Sequence, residues 1–271
     1  FDTSGSMAFS STTGDDCGYD SYYRRWRLCP DNRLGVAKDT ITDLIEDKAN
    51  ENVDFGLMRF NSDNEGGYVL SGIGSSKSDI KNKINTLEAN GGTPLSETLW
   101  EAYLYLIGED RDYADYYSIG RDRNIESGSK YISPFTPKAG EQRCNSAVNV
   151  ILMTDGDPSV DTSSNSDISK LYKNTFKQDT PVIEKSYMPA LAAAMHGRGG
   201  KDPVEVDLYP NTSDLKDTAY VYTIGFGEGM SGAGEKILRK TAELGGGKYY
   251  QADTAEKLKD DFNKILVAIN Q

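Results

Sequence analysis

The stretch Val148-Asn-Val-Ile-Leu-Met-Thr-Asp-Gly156 decides the fold class of this chain. Up to Thr154 it is almost continuously apolar, which is typical of a parallel strand that is covered on both faces. A similar run spans residues 219–226, and two weaker patterns over residues 53–60 and 248–252 also favour strands. The sequence therefore predicts a central sheet that is mostly parallel and largely buried.

Helical patterns alternate with these strands. The apolar residues within 34–45 share one face of a helix that Asp31 or Asn32 can cap, and Thr93-Pro94 opens a helix with proline at its first position. Further helices are predicted over residues 78–87, 184–195 and 235–244 and after Thr254, where Asp253 and Glu256 fit a capping box. The alternation predicts one doubly wound α/β domain over residues 1–271, with helices flanking the sheet.

Two polar, tyrosine-rich stretches interrupt this alternation, at about residues 8–31 and 109–145. Both are too long for ordinary loops, and we interpret them as insertions within the one domain. Their tyrosines, such as Tyr22 and Tyr116, suit a contact surface because tyrosine offers rigid amphipathic area. They suit equally well the packing of the insertions onto the sheet, and the sequence does not distinguish these roles.

The composition is acidic, with 30 Lys and Arg against 42 Asp and Glu and a formal net charge of −12. This balance argues against nucleic acid as a partner, since a phosphate backbone requires a basic surface. A surplus of carboxylates suits cation binding, although a solvated acidic surface also serves solubility. The sequence has no apolar run of about 18 residues, so no membrane span is expected.

Three cysteines indicate whether the protein suits an oxidising compartment. Cys17 and Cys29 lie in one polar stretch, and in an oxidising compartment a disulfide between them would close a short surface loop. Metal ligation is disfavoured, because there is no Cys-x-x-Cys and His196 is the only histidine in the sequence. Cys144 precedes its strand and is expected at the opposite edge of the sheet, either free or bonded to upstream chain.

The pentad Asp2-Thr-Ser-Gly-Ser6 carries the candidate chemistry. In an extended segment that enters a turn, alternate residues point the same way, so the oxygens of Asp2, Ser4 and Ser6 converge. One carboxylate and two hydroxyls are hard ligands that suit Mg²⁺ or Mn²⁺ and are sparse for a tight Ca²⁺ site. The pentad alone is equally compatible with a plain serine-rich turn.

Two further segments favour the metal site. Gly91-Gly-Thr-Pro-Leu95 places the hydroxyl of Thr93 at a helix start, and Asp155 stands at the carboxyl end of the strand that opens this section. Doubly wound sheets bind ligands at the carboxyl ends of their strands. A shared cation is therefore expected at that edge, held by Asp2, Ser4, Ser6, Thr93 and Asp155.

This set of residues resembles the metal-ion-dependent adhesion site of von Willebrand factor A domains, in its composition, chain order and intervening elements. The resemblance covers nearly the whole chain. It implies a divalent cation, with Mg²⁺ favoured and Mn²⁺ or Ca²⁺ as alternatives, that keeps one coordination position open for an acidic residue of a partner protein. It also implies that Thr93 changes between direct and water-mediated contact as the last helix, residues 256–269, shifts.

Within that superfamily the sequence resembles the amino-terminal region of the PilY1/PilC tip proteins of bacterial type IV pili. The residues that carry this likeness are Gly91-Gly-Thr-Pro-Leu-Ser-Glu-Thr-Leu-Trp-Glu-Ala-Tyr103, Tyr131-Ile-Ser-Pro-Phe135 with Cys144, Val150-Ile-Leu-Met-Thr-Asp-Gly156, Tyr187-Met-Pro-Ala-Leu-Ala-Ala-Ala-Met195 and Tyr222-Thr-Ile-Gly-Phe-Gly227.

This likeness implies a non-enzymatic protein of the cell surface, at the pilus tip or outer membrane after export through the periplasm. Its roles would be adhesion, pilus biogenesis and surface sensing. The expected partners are host receptors, matrix proteins or pilins.

The alternative function is a dinucleotide-binding oxidoreductase. A Gly-x-Gly-x-x-Gly pattern lies between a strand and a helix, with Asp253 about twenty residues later, at Gly227, Gly229 and Gly232. We disfavour it because the spacing leaves Gly225 and Phe226 between the strand and the first motif glycine, and because the pattern falls late in the chain.

Two weaker alternatives concern hydrolysis and calcium. Ser4 or Ser6 as a nucleophile would need a base, and His196 is more typical of a helix end, where it balances the helix dipole. Residues 161–167 resemble the start of a Ca²⁺ loop but lack its glycine and its glutamate, since Tyr172 stands at the twelfth position. A capped polar loop is predicted there.

The first strand presents a conflict. Only Phe1 precedes Asp2, whereas the resemblance implies several apolar residues at that place. We expect the first strand to lie largely upstream of this sequence, or its position in the sheet to be filled by another segment.

Overall fold

The computed structural model describes residues 1–62, 65–141, 146–197, 204, 206–208, 216–228 and 230–270. The strands are β1 (Tyr19–Asp20), β2 (Arg25–Trp26), β3 (Leu57–Phe60), β4 (Gly67–Ser71), β5 (Glu126–Ser127), β6 (Lys130–Tyr131), β7 (Ala147–Thr154), β8 (Thr218–Phe226) and β9 (Gly246–Ala252). The helices are α1 (Arg33–Glu46), α2 (Lys77–Asn85), α3 (Leu95–Ile107), α4 (Asn165–Phe176), α5 (Met188–His196), α6 (Gly232–Leu244) and α7 (Ala255–Ile269).

The central sheet is parallel, in the order β7-β8-β9. β7 and β8 pair along the whole of β7, from Ala147 opposite Thr218 to Thr154 opposite Gly225. Successive side chains of a strand point to opposite faces, and Leu152 accordingly packs with residues of α3, α5 and α6, whereas its neighbour Met153 packs with α1 and α7. Helices cover both faces of the sheet, so the predicted doubly wound α/β fold class is confirmed.

An antiparallel pair, β3 with β4, lies beside this sheet, and the amino-terminal residues lie between the two. The nitrogen of Phe1 donates to the carbonyl of Met58 at 3.0 Å on one side, and Thr154 Oγ1 donates to Asp2 Oδ2 at 2.7 Å on the other. A cavity of about 550 Å³ continues between β3 and β7, with Phe1 and Phe262 in its apolar lining. It lies where the sequence predicts an apolar strand; the expectation of upstream chain stays a prediction.

Apart from the two-residue strands within the insertions, the sequence patterns miss two elements. β4 is buried at every position, so its sequence does not alternate between apolar and polar residues, and its apolar run has only three residues (Tyr68, Val69 and Leu70). α4 begins inside the segment for which a polar loop is predicted. Its buried side chains are three (Ile168, Tyr172 and Phe176) among polar neighbours, which is a weak helical signal.

Several boundaries also differ from the prediction. The strand predicted over residues 53–60 begins only at Leu57, and Pro94 caps α3 instead of starting it. The helix predicted over residues 184–195 begins at Met188, because Glu184 and Lys185 have φ angles of 47° and 66° that a right-handed helix excludes.

The cap of the last helix differs as well. The capping box of Asp253 and Glu256 is wrong, because Thr254 caps α7 by accepting the N–H of Lys257 at 3.1 Å.

The first insertion rests against the amino-terminal pentad. β1 and β2 form a hairpin, and the predicted disulfide between Cys17 and Cys29 is present. Trp26 of this hairpin packs edge-on against Phe9, with ring centroids 5.1 Å apart. Its indole also covers Gly5, where an added Cβ would lie 2.9 Å from Trp26 Cδ1.

The second insertion packs against β4 and α3. Asp122 Oδ2 accepts the N–H of Gly72 at 2.8 Å, and the hydroxyl of Tyr131 donates to the buried carboxylate of Glu101. Cys144 lies outside the described residues, so its state stays a prediction. In the described part of the chain, no helix has both the length and the apolar character that crossing a membrane requires.

Candidate metal-binding site

The pentad and the carboxyl end of β7 meet at one edge of the sheet. Ser6 Oγ donates to Asp155 Oδ1 at 2.8 Å. Ser4 Oγ lies 3.0 Å from Ser6 Oγ and 3.5 Å from Asp155 Oδ1. Oxygen atoms from two distant parts of the chain therefore converge, as the sequence predicts for these three residues.

Asp2 lies fully buried at the base of this group. Its Oδ1 accepts the N–H of Ser4 at 2.7 Å, and its Oδ2 accepts Thr154 Oγ1 at 2.7 Å and the N–H of Asp155 at 3.2 Å. These bonds fix the carboxylate between the pentad and the end of β7. Thr154 is a site residue that the sequence patterns do not reveal, because only the pairing of distant segments brings its hydroxyl to Asp2.

Thr93 belongs to a segment that lies alongside the pentad. The N–H of Asn90 donates to the carbonyl of Thr3 at 2.8 Å. The backbone of Thr93 is held by Ser159, whose Oγ accepts its N–H at 3.0 Å and whose N–H donates to its carbonyl at 3.0 Å. The structure thus brings Thr93 to the region of the other predicted ligands, and direct contact of its hydroxyl with a cation stays a prediction.

A cationic side chain also reaches the site, and no sequence motif signals it. Arg33 Nη1 donates to Asp155 Oδ2 at 2.8 Å, and the two side chains are only 3% and 0% exposed. Arg33 is the first residue of α1, whose start is fixed by the Asn32 cap. Its N–H donates to the carbonyl of Phe9 at 3.0 Å, so the chain just after the pentad aims this side chain at Asp155.

The electrostatics of Asp155 are governed by burial. Loss of water and the neighbouring charge of Asp2 raise the pKa of Asp155 from 3.8 to about 7, while the hydrogen bonds from Arg33 and Ser6 act in the opposite direction. Two carboxylates held together out of water favour added positive charge.

The donor set fits a hard divalent cation. Carboxylate and hydroxyl oxygens are the ligands that Mg²⁺ and Mn²⁺ prefer, and Ser4, Ser6 and Asp155 present such oxygens within 3.5 Å of one another. No group of three or more His, Cys, Asp or Glu side chains in the described residues is arranged to hold a metal. A cation here would therefore rely on hydroxyls in addition to its two carboxylates.

In the described residues, the glycine pattern after β8 meets a carboxylate at the start of α6. β8 extends to Phe226, so the expected gap of Gly225 and Phe226 before Gly227 is wrong. At the start of α6, Asp157 Oδ1 accepts the N–H of Ser231 at 3.0 Å. A carboxylate thus occupies the helix end at which a pyrophosphate would bind, which argues against the oxidoreductase alternative; Gly229 lies outside the described residues.

His196 lies far from the pentad serines. Its Nδ1 is 3.0 Å from the carbonyl oxygen of Ala219, at the amino end of β8. Ser4 and Ser6 lie at the carboxyl edge of the same sheet, so this histidine is not placed to act as their base.

The segment that resembles a calcium loop caps a helix instead. The carboxylate of Asp161 accepts the N–H groups of Ser96 and Glu97 at 2.9 and 3.0 Å. Both belong to the first turn of α3, where an acceptor satisfies unpaired N–H groups. The predicted polar loop is therefore present from Asp161 to the start of α4, and it caps α3 through Asp161.

Comparison with known proteins yields only distant structural similarity. No protein-family model and no curated protein sequence matches the chain. An aerotolerance-related membrane protein from Bacteroides fragilis is 15% identical over 98% of this chain and 96% of that chain, with a TM-score of 0.49. A variant of the PilB minor pilin from Streptococcus sanguinis is 16% identical over 99% of this chain and 59% of that chain, with a TM-score of 0.49.

A third similar structure is the vWF domain of the type V pili tip protein Mfa5 from Porphyromonas gingivalis. It is 15% identical over 99% of this chain and 92% of that chain, with a TM-score of 0.44. Similarity at this level assigns neither a family nor a function to the chain.

Proposed function

We propose that the chain is a metal-dependent protein-binding domain of the von Willebrand factor A type. The carrying observation is the hydrogen bond of 2.8 Å from Ser6 Oγ to Asp155 Oδ1, which joins residues 149 positions apart at the carboxyl edge of the sheet. The proposed ligands of a divalent cation, Mg²⁺ first and Mn²⁺ or Ca²⁺ as alternatives, are Asp2, Ser4, Ser6, Thr93 and Asp155.

Each residue has a distinct part in this proposal. Ser4, Ser6 and Asp155 supply the converging oxygens, and Asp2 adds a second carboxylate whose position the hydroxyl of Thr154 fixes. A divalent ion bound there supplies a Lewis-acidic centre that attracts a carboxylate oxygen of a partner protein. Binding and not catalysis is the proposed role.

The surface beside the site suits a protein partner. Tyr22 and Tyr23 of the hairpin between β1 and β2 are 85% and 64% exposed and stack edge-to-face. The same hairpin covers Gly5 through Trp26. Exposed tyrosines on a hairpin that contacts the pentad are typical of contact surfaces, whereas Tyr131 of the second insertion is buried and packs that insertion down.

The biological setting is proposed from the sequence resemblance. The segments shared with the PilY1/PilC tip proteins support an adhesin of a type IV pilus, displayed at the cell surface after export through the periplasm. The disulfide of the first insertion supports an oxidising compartment. Host receptors, matrix proteins and pilins are the proposed partners.

Direct metal binding is the first test. Protein treated with EDTA and then dialysed would be titrated with MgCl₂ and MnCl₂ by isothermal calorimetry. We expect saturable binding that Ser6→Ala weakens about tenfold or more, because an oxygen ligand is lost. Ser11→Ala is the matched control, since Ser11 lies on the adjoining segment and its side chain makes no hydrogen bond to the proposed ligands among the described residues. Equal affinities for the two variants, or no binding by the wild type, would contradict the proposal.

The open coordination position is the second test. Mn²⁺-loaded protein would be titrated with a short peptide that contains one glutamate, and with the same peptide carrying glutamine. Water-proton relaxation should fall only with the glutamate peptide, because its carboxylate displaces a water from Mn²⁺. An identical response to both peptides would rule out carboxylate recognition by the cation.

A further inference from the structure

Arg33 holds the position of a cation in the proposed metal site. We propose that its guanidinium is an internal counter-cation that competes with the divalent ion for Asp155, so that metal binding requires Arg33 to leave the carboxylate. This inference rests on the proposed function and concerns the regulation of the same site.

Local helix preferences do not account for this arginine. Arg33 is the first residue of α1, and the first turn of α1 contains no acidic residue. The amino-terminal end of a helix carries partial positive charge and disfavours a cation. The hydrogen bond of 2.8 Å to Asp155, at the carboxyl end of β7, holds the guanidinium in this position.

The charges of the site favour one cation at a time. Asp2 and Asp155 carry two carboxylates, of which Arg33 neutralises one, whereas a divalent ion neutralises both. If Arg33 and a divalent ion both bound Asp155, the positive charges of these two cations would outweigh the negative charges of Asp2 and Asp155. Repulsion between like charges is strong where water is excluded, so binding of one cation expels the other.

The contact of Arg33 is also incomplete. It reaches Asp155 through Nη1 alone, whereas the strongest arginine–carboxylate pairs are bidentate. Arg33 Nε is buried and has no hydrogen-bond partner within the described ranges, which is unfavourable for a polar group out of water. The guanidinium therefore holds its place by a single hydrogen bond, which a divalent cation can displace in the proposal.

The guanidinium lies against the backbones of two glycines, one of which belongs to a surface segment. A Cβ added to Gly14 would lie 3.4 Å from Arg33 Nη2, and one added to Gly227 would lie 3.0 Å from Arg33 Nε. Gly14 belongs to the first insertion, where its neighbours Thr13 and Asp15 are exposed. In the proposal, the guanidinium leaves Asp155 past this surface segment.

The test compares Mn²⁺ affinities by isothermal calorimetry for EDTA-treated wild type, Arg33→Gln and Arg25→Gln. Arg25 lies in the first insertion, where it pairs with exposed Glu88 at 3.8 Å and lies over the ring of Tyr23. Its variant therefore removes one positive charge without touching Asp155. We expect Arg33→Gln to bind Mn²⁺ about tenfold or more tightly than the wild type, and Arg25→Gln to bind as the wild type does.

The outcomes separate this inference from the proposed function. If the wild type binds Mn²⁺ and Arg33→Gln binds it equally or more weakly, the proposed competition is refuted, while the proposed metal site still stands. Absence of Mn²⁺ binding in all three proteins would overturn both.

A measurement on the wild type covers the case in which Arg33→Gln does not fold. The ¹⁵N resonances of the Arg33 side chain, assigned with Arg33→Lys, should move towards those of exposed arginines at saturating Mg²⁺. Unchanged resonances at saturation would overturn the competition.

Discussion

Thr154→Val tests the support that β7 gives to Asp2; it also removes longer bonds of the same hydroxyl to the backbone of Gly156, at 3.2 and 3.4 Å. The substitution keeps the shape of the side chain and removes the hydroxyl that donates to Asp2 Oδ2 at 2.7 Å. Both residues are fully buried, so water does not replace the lost bond. Oδ2 then retains only the N–H of Asp155, at the longer distance of 3.2 Å.

Two effects of different size are expected. A hydrogen bond to a charged group is worth about 1.5–3 kcal/mol, so the free energy of unfolding should fall by about 2 kcal/mol. For a domain of this size that corresponds to a decrease of about 3–4 °C in Tm. Loss of an outer-shell partner typically weakens metal binding about 10- to 100-fold, and we expect the lower end because the bonds from Ser4 and Asp155 remain.

Thr223→Val is the matched control. Thr223 is fully buried on the adjacent strand β8, but its Oγ1 donates at 2.8 Å to the neutral carbonyl of Leu238. This variant should lose about 1 kcal/mol of stability and keep the wild-type affinity for Mg²⁺. Urea unfolding followed by circular dichroism gives the stabilities, and calorimetry gives the affinities. If Thr154→Val changed the Mg²⁺ affinity no more than Thr223→Val does, the role assigned to Asp2 would be refuted.

Three further predictions concern the surroundings of the site. Reduction of the disulfide between Cys17 and Cys29 should lower stability by about 3 kcal/mol, seen in thermal melts with and without reductant; a double alanine variant should show no such response. Burial and Asp2 raise the pKa of Asp155 to about 7, above its value in the unfolded chain. The metal-free fold should therefore lose stability as pH rises from about 4 to 7, while Mg²⁺ affinity should rise over that range and be about tenfold weaker at pH 6 than at pH 8; a flat profile would contradict this. Gly5→Ala should push Trp26 off the pentad at a cost of about 1–3 kcal/mol, with a red shift in fluorescence that an undisturbed hairpin would not show.

The parts of the fold that follow local rules could be predicted from the sequence. Long apolar runs marked β7 and β8, because a strand covered on both faces needs apolar residues at every position. The amphipathic stripe of α7 was equally clear. β4 and α4 could not be predicted, since β4 is buried at every position and shows no alternation, and α4 buries few residues; their tertiary neighbours, not their own sequence, stabilise them.

The sequence by itself determined which oxygen-bearing residues belong together. The spacing of Asp2, Ser4 and Ser6 makes their side chains converge, and a residue at the carboxyl end of a parallel strand, such as Asp155, faces the same sheet edge. Both are consequences of backbone geometry over a few residues. Only the tertiary structure decided what charges and hydrogen bonds surround these oxygens. The hydroxyl of Thr154 and the guanidinium of Arg33 reach the site through contacts 152 and 122 positions apart, and no local pattern encodes such a contact, because its geometry depends on how whole elements pack.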